Sequence, residues 1–265
     1  MEGKSASEEQ VLGAVGFLGL DFDAVSLDQA LAEVARLSQM DNFTYVVTPN
    51  VDHMVQLYRD RGDQDGASPP TNQLWQVYRD AVLRLCDSRV LARLARASGL
   101  SLPVVAGSDL TAALLASPVI AGWRIAVIGG DPSQLDWLQR AAPHSQWLQH
   151  FPPMGVRKNR QAQDAIVDFI ANAQANLVLF AIGAPQSELV AWRAAQAGNC
   201  RGVGLCIGAS IEFLTGEKRR APAIWQKLGI EWAYRLLSEP HRLWRRYLVE
   251  GPRIFSIWWQ WTRQR

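Results

Sequence analysis

The chain has 265 residues, 48% hydrophobic and 20% charged, the make-up of a folded protein and not of a disordered segment. Its net charge of +2 hides an asymmetry, because the last 48 residues carry eleven Lys/Arg against three acids (+8) and the preceding 217 sum to −6. Three cysteines with no Cys-x-x-Cys pair, four scattered histidines and no apolar run near 18 residues argue against a disulfide scaffold, a spaced metal site and a transmembrane helix.

The polar, acidic start MEGKSASEEQ does not read as a secretory signal. Short β-branched and apolar runs then read as buried strands at 43–48, 123–129, 177–183 and 202–207. Between them, helical patterning is expected around 50–60, 108–116, 131–141, 161–173 and 185–197, with helix starts at Ser108-Asp109 and Asp131-Pro132. The segments 64–72 and 151–155 read as Pro/Gly-rich loops. Alternation of this kind predicts an α/β fold with a doubly wound, mostly parallel, Rossmann-like sheet. The α/β domain is drawn at 1–216 and a basic, Trp-rich helical appendage at 217–265.

Two strand ends run into glycine turns, Gly129-Gly130-Asp131 and Gly183-Ala184-Pro185. At such ends the next helix offers unpaired N–H groups to an anion, although turns of this type are as often purely structural. Neither is a Gly-x-Gly-x-x-Gly fingerprint. Six of the eleven tryptophans lie in the appendage. There a helix over 252–263 would align Ile254, Ile257, Trp258 and Trp261 on one face and Arg253, Ser256, Gln260 and Arg263 on the other. Leu243/Tyr247 and Trp244/Leu248 repeat at i, i+4 just before it. The cations and tryptophans together favour a helix lying in the plane of an anionic membrane surface. The competing reading is a helical pair packed on its own domain. No motif accompanies the basic run to support nucleic-acid binding.

In order along the chain stand Thr48-Pro49-Asn50, Cys86-Asp87-Ser88, Ala106-Gly107-Ser108-Asp109-Leu110, Ile128-Gly129-Gly130, Gly183-Ala184-Pro185-x-x-Glu188 and Gly208-Ala209-Ser210-x-x-Phe213-Leu214-x-Gly216. Arg220-Ala221-Pro222, Leu228-Gly229-x-Glu231-Trp232 and Arg235-Leu236-x-x-Glu239-Pro240-x-Arg242 follow. This series resembles the WecG/TagA/CpsF family of bacterial glycosyltransferases, from Thr48 to about Leu248. The resemblance implies transfer of a hexose or N-acetylhexosamine from a UDP-sugar to a polyprenyl-diphosphate-linked acceptor in surface-polysaccharide assembly. It further implies a peripheral place on the cytoplasmic face of the membrane, with no required metal and no cofactor; a homo-oligomer is left open.

By the same resemblance Asp87 is the general base that takes the acceptor proton. The competing reading makes it the cap of the helix that follows. Thr48, Asn50, Gly129, Gly130, Gly183, Ala184, Ser187 and Glu188 are expected around the donor or acceptor. Arginine forks onto phosphate oxygens, so Arg220, Arg235 and Arg242, with Arg219, Arg245 and Arg246 behind them, are candidates for the diphosphate. The chain departs from the family pattern at Val104, Ser187 and Ser88, where an arginine, a glutamine and a glycine are usual, and this bears on donor choice. The rival functions are a soluble nucleotide-sugar epimerase or dehydrogenase and a non-catalytic membrane adaptor.

Overall fold

A computed structural model describes residues 13–59, 73–217, 222, 225 and 231–265. The chain opens with an antiparallel hairpin, β1 (Ala14–Phe17) and β2 (Leu20–Asp23). It is closed by Leu18 and Gly19, both at positive φ, and two left-handed residues in succession match the twist of the flanking strands. Helix α1 (Leu27–Leu37) starts on a capping box, in which Ser26 Oγ accepts from the Gln29 N–H and Gln29 Oε1 from the Ser26 N–H. The expected elements do not include this hairpin or α1.

The main sheet has six strands: β3 (Phe43–Val47), β4 (Leu83–Arg84), β5 (Arg124–Gly129), β6 (Gln146–His150), β7 (Leu177–Ala181) and β8 (Gly202–Cys206). Their order is β4-β3-β8-β7-β5-β6 and every pairing is parallel. The four expected strands are the inner ones. The added edges are a two-residue strand and a polar one, neither of which carries a hydrophobic run.

Alternation along each strand builds two cores. Phe43, Tyr45, Val47, Ile128, Val178 and Phe180 face one side, and Val46, Ile125, Val127, Leu177, Leu179 and Leu205 the other. Helices α2 (Val51–Arg59), α3 (Gln73–Arg79), α4 (Arg89–Ala97), α7 (Arg160–Ala173) and α8 (Gln186–Ala197) contribute to the first core. Helices α1, α5 (Gly107–Ala116), α6 (Pro132–Ala141) and α9 (Ser210–Leu214) contribute to the second. The helices after β5 and β8 therefore leave to one face while those after β3 and β7 leave to the other. Such reversals open a crevice at the carboxyl ends of the strands. Asp131 caps α6 with Pro132 at its first position, as expected. Helix α5 instead begins at Gly107 with Ala106 as an uncapped start, so Ser108 and Asp109 lie inside its first turn.

The tail has helices Glu231–Ser238 and Pro240–Trp244, a π-helical turn Arg245–Glu250 and a terminal helix Arg253–Gln264. The face expected at the membrane is the packing face. Ile254, 1% exposed, and Ile257 join the first core, and Trp258 and Trp261 pack against it. The Trp261 ring meets Phe17 edge-on at 5.2 Å, and Trp258 Nε1 donates to Ser98 Oγ at 2.8 Å. Helix α2 and Phe17 of the hairpin supply apolar surface that this stripe covers, which is why protein and not lipid receives it. What remains exposed lies elsewhere on the tail, at Trp232, Leu237, Trp244, Leu248, Val249, Phe255 and Trp259.

Candidate active site

Three segments run side by side where β3 and β4 end. The Leu85 N–H donates to Val47 O at 2.9 Å, the Asp87 N–H to Pro49 O at 3.0 Å and the Val105 N–H to Cys86 O at 2.9 Å. This ladder prolongs the sheet beyond its regular strands and fixes the backbone of Asp87 at the carboxyl edge. The cap of α4 is Ser88, whose Oγ accepts from the Leu91 N–H, so the capping alternative for Asp87 does not hold. Burial pushes the neighbouring Cys86 thiol up to about 12, which keeps it neutral and unsuited to nucleophilic work.

Asn50 Oδ1 accepts from the N–H groups of Asp52 (3.0 Å) and His53 (3.4 Å), capping α2. Its oxygen is committed to that turn, and only its NH₂ group can serve a ligand. Thr48 is buried, and its hydroxyl donates across the sheet to Cys206 O at 3.2 Å. A Cβ at position 107 would stand 3.2 Å from Thr48 Oγ1 and 3.7 Å from Ser210 Oγ, so Gly107 lets the starts of α5 and α9 close over the end of β3. Thr48 thus acts as a tie beneath the site.

Farther along the edge, a cleft of about 270 Å³ opens between the β5–α6 and β8–α9 turns, over the end of β7. Gly130, Asp131, Gln134, Ala181, Gly208, Glu212 and Glu217 line it. Gly129 sits at φ 88° with the place of a Cβ only 2.6 Å from Ile182 Cγ2, so the turn closes directly on β7. The helix end expected to receive phosphate is already filled. Asp131 accepts from the Ser133 hydroxyl (2.6 Å) and from the N–H groups of Ser133 (2.8 Å) and Gln134 (3.1 Å), and the hydroxyl bond first, with the N–H bonds, holds its carboxyl below the usual range. Three carboxylates on one cleft repel a diphosphate and attract hydroxyl and N–H donors. Gln134 Nε2 donates to Glu217 Oε2 at 2.7 Å, and Gln149 Nε2 to Gly129 O at 2.9 Å.

The β7–α8 turn carries Gly183 and Ala184 to the same edge, but Ser187 and Glu188 turn inward and do not line the cleft. Ser187 Oγ and Glu188 Oε2 are buried without a hydrogen-bond partner. Burial raises the Glu188 carboxyl to about 7, and its electrostatic neighbours are Tyr45, Tyr78 and Cys206. His53, whose ring lies 6.0 Å from that of Tyr78, is pushed the other way, down to about 4, also by burial. Both groups are therefore held neutral near pH 6.

The tail brings cations to this region. The Arg235 guanidinium lies 5.1 Å from the Phe213 ring on α9, one residue from Glu212. Arg246 pairs with Asp52 at 3.3 Å, in the first turn of α2 beside Asn50. Arg245 faces Glu250 at 3.5 Å. Arg219 and Arg220 lie outside the described residues, and Arg242 is described only by its place in Pro240–Trp244. Among the described residues no group of three or more His, Cys, Asp or Glu is arranged to hold a metal ion.

Sequence reasoning missed Gln134, Glu212, Glu217, Gln149 and His53. For Glu212 the signal was present, since it stands inside the Gly208-Ala209-Ser210-x-x-Phe213-Leu214-x-Gly216 stretch directly after a strand. Gln149 on a polar edge strand gave none. A carboxylate edge at β4, a donor-seeking cleft three strands away and arginines from a tail suit an elongated substrate with unlike ends. Residues 15–265 match the model of the glycosyl transferase WecG/TagA/CpsF family, and with all but its first 14 residues inside that match the chain belongs to this family.

Proposed function

We propose that the protein transfers a hexose or N-acetylhexosamine from a UDP-sugar to a polyprenyl-diphosphate-linked saccharide at the cytoplasmic membrane face, in assembly of a bacterial surface polysaccharide. The observation that carries this reading is the charge order of the edge. Glu212, Glu217 and Asp131 would receive the uridine end, whose ribose hydroxyls and base N–H are donors. This reassigns Gly129 and Gly130 from phosphate to nucleoside. Asn50 after β3 and Asp87 after β4 lie two and three strand spacings from the end of β7, roughly 10–15 Å, where the sugar and the attacking hydroxyl would meet. Arg235 and Arg246 would face the diphosphates, with Arg220 and Arg242 from the same tail.

In the proposed step the acceptor hydroxyl oxygen bonds to the anomeric carbon. The bond from that carbon to the UDP oxygen breaks, the electron pair leaves with UDP, and the hydroxyl proton goes to the Asp87 carboxylate. Arginines would neutralise the charge growing on the leaving diphosphate, the part a divalent ion plays in other transferases. The test is a panel of UDP-sugars offered to the full-length protein with a polyprenyl-diphosphate-linked acceptor, following UDP release and glycosylated lipid together. Transfer from one or a few donors is expected. UDP release with no glycosylated lipid would make the protein a hydrolase, and no turnover with any donor would overturn the reading.

A further inference from the structure

The loop after β6 is a second apolar prong on the carboxyl rim. Phe151, which follows the last residue of β6, is 54% exposed, and Met154 is 98% exposed with Pro153 between them also in solvent. An unbranched apolar side chain held almost wholly in water has no packing purpose in the monomer. Nor is the loop loosely attached. Val156 is buried at its base, Gln163 Nε2 donates to Val156 O at 2.8 Å and Arg157 O at 3.0 Å, and Arg193 Nη1 in turn donates to Gln163 Oε1 at 2.9 Å. Asn159 Oδ1 caps α7 immediately after. The tip is therefore presented by a fixed base.

Its surroundings are cationic. Arg157, Lys158 and Arg160 follow the tip, all exposed, and no acid occurs before Asp164, which pairs with Arg160 and Arg193. An apolar tip ringed by cations suits an anionic bilayer, in which the side chains enter the headgroup region and the cations meet lipid phosphates. The position agrees. The Arg157 N–H reaches Gln186 in the first turn of α8, so the loop stands at the rim that bears the cleft. On the β3 side of the sheet, the Arg246–Asp52 pair fixes the tail segment with exposed Trp244 and Leu248 at the start of α2.

We infer that the loop 151–160 is a second lipid-binding element, which with the tail straddles the cleft and sets the carboxyl rim against an anionic membrane; this rests on the membrane-linked acceptor proposed above. The test places an environment-sensitive fluorophore on Met154→Cys, and on Val119→Cys at the opposite rim as control, in the full-length protein whose native cysteines are buried. Phosphatidylglycerol-containing vesicles should raise emission about twofold or more at position 154 and leave 119 unchanged, and pure phosphatidylcholine should do neither. Phe151→Asp with Met154→Asp should weaken vesicle co-sedimentation on the order of tenfold while UDP binding is kept. If the protein binds anionic vesicles but the 154 signal and the double variant do not respond, the loop is not a membrane element and the tail alone serves. If no vesicle is bound at all, the loop inference and the membrane reading fall together. A 154 signal that changes with protein concentration and without lipid would overturn the inference in favour of self-association.

Discussion

Ser88 and not Asp87 caps α4, so changing the Asp87 carboxyl leaves that cap in place. Asp87→Asn is expected to keep the melting temperature and UDP affinity while lowering turnover by about 10²-fold or more, the effect of losing a positioned base. A variant that folds and turns over normally would remove Asp87 from the mechanism. Glu188 gives a prediction of another kind. Its carboxyl is raised by burial to about 7, so the native state keeps a proton that the unfolded chain releases near 4.5. Stability from this group is present at low pH and is lost as pH rises from about 4.5 to 7. Glu188→Gln should match the parent below that window and exceed it above pH 7, by on the order of 2–3 kcal/mol. His53 titrates in the opposite sense but is common to both proteins, so it cancels in the difference. Parallel pH curves for the two proteins in thermal melts would show that Glu188 is solvated or partnered after all. The order of motifs made Asp87, Asn50 and the glycine turns legible as neighbours. Which of them tie and which can touch substrate was not, because Thr48 and Ser187 look like any short polar side chains until their burial is known.

Among the elements, those legible in the sequence were strands buried on both faces, which need unbroken apolar runs, and helices with a continuous stripe. The hairpin β1–β2 escaped because its two short strands take their stability from Trp261 and the α3 region, contacts far away in sequence. The tail was legible as an amphipathic helix but not as to which face meets what, since lipid and protein select the same apolar stripe. Exposure decides between them, and the two roles can now be separated by substitution. Ile254→Ala should cost about 2–4 kcal/mol, as for other buried aliphatic truncations, and leave vesicle binding by the folded fraction unchanged. Trp244→Ser with Leu248→Ser should do the reverse, keeping stability and weakening anionic-vesicle binding on the order of tenfold. Loss of stability in the second pair would mean that Trp244 and Leu248 are covered by protein and are not a lipid-facing surface.

For the whole molecule, the asymmetry between a −6 body and a +8 tail suggests electrostatic anchoring, and the structure revises its size. A tail cut at Arg242 would strip Ile254, Ile257 and Trp261 from the first core and expose Phe17, so truncation confounds anchoring with unfolding. Of the six arginines from Arg242 onward, Arg245 and Arg246 already face the carboxylates of Glu250 and Asp52. At about 1 kcal/mol per cation near an anionic leaflet, these two pairs lower the pull of the segment by about 2 kcal/mol from what a bare count of six implies. On the β6 loop Arg160 is likewise paired, with Asp164, so the cations of that loop offset this loss only in part. The intact protein is the proper subject of the measurement. Binding to anionic vesicles should fall as salt rises from about 0.1 M, where the screening length is about 10 Å, to 1 M, where it is about 3 Å. A residue of binding should persist at high salt, carried by Trp244, Leu248 and the exposed loop side chains, whose transfer is not screened. Complete release at 1 M salt would assign the attachment to charge alone. Equal binding to neutral and anionic vesicles would sink the electrostatic account and leave the apolar surface as its only support.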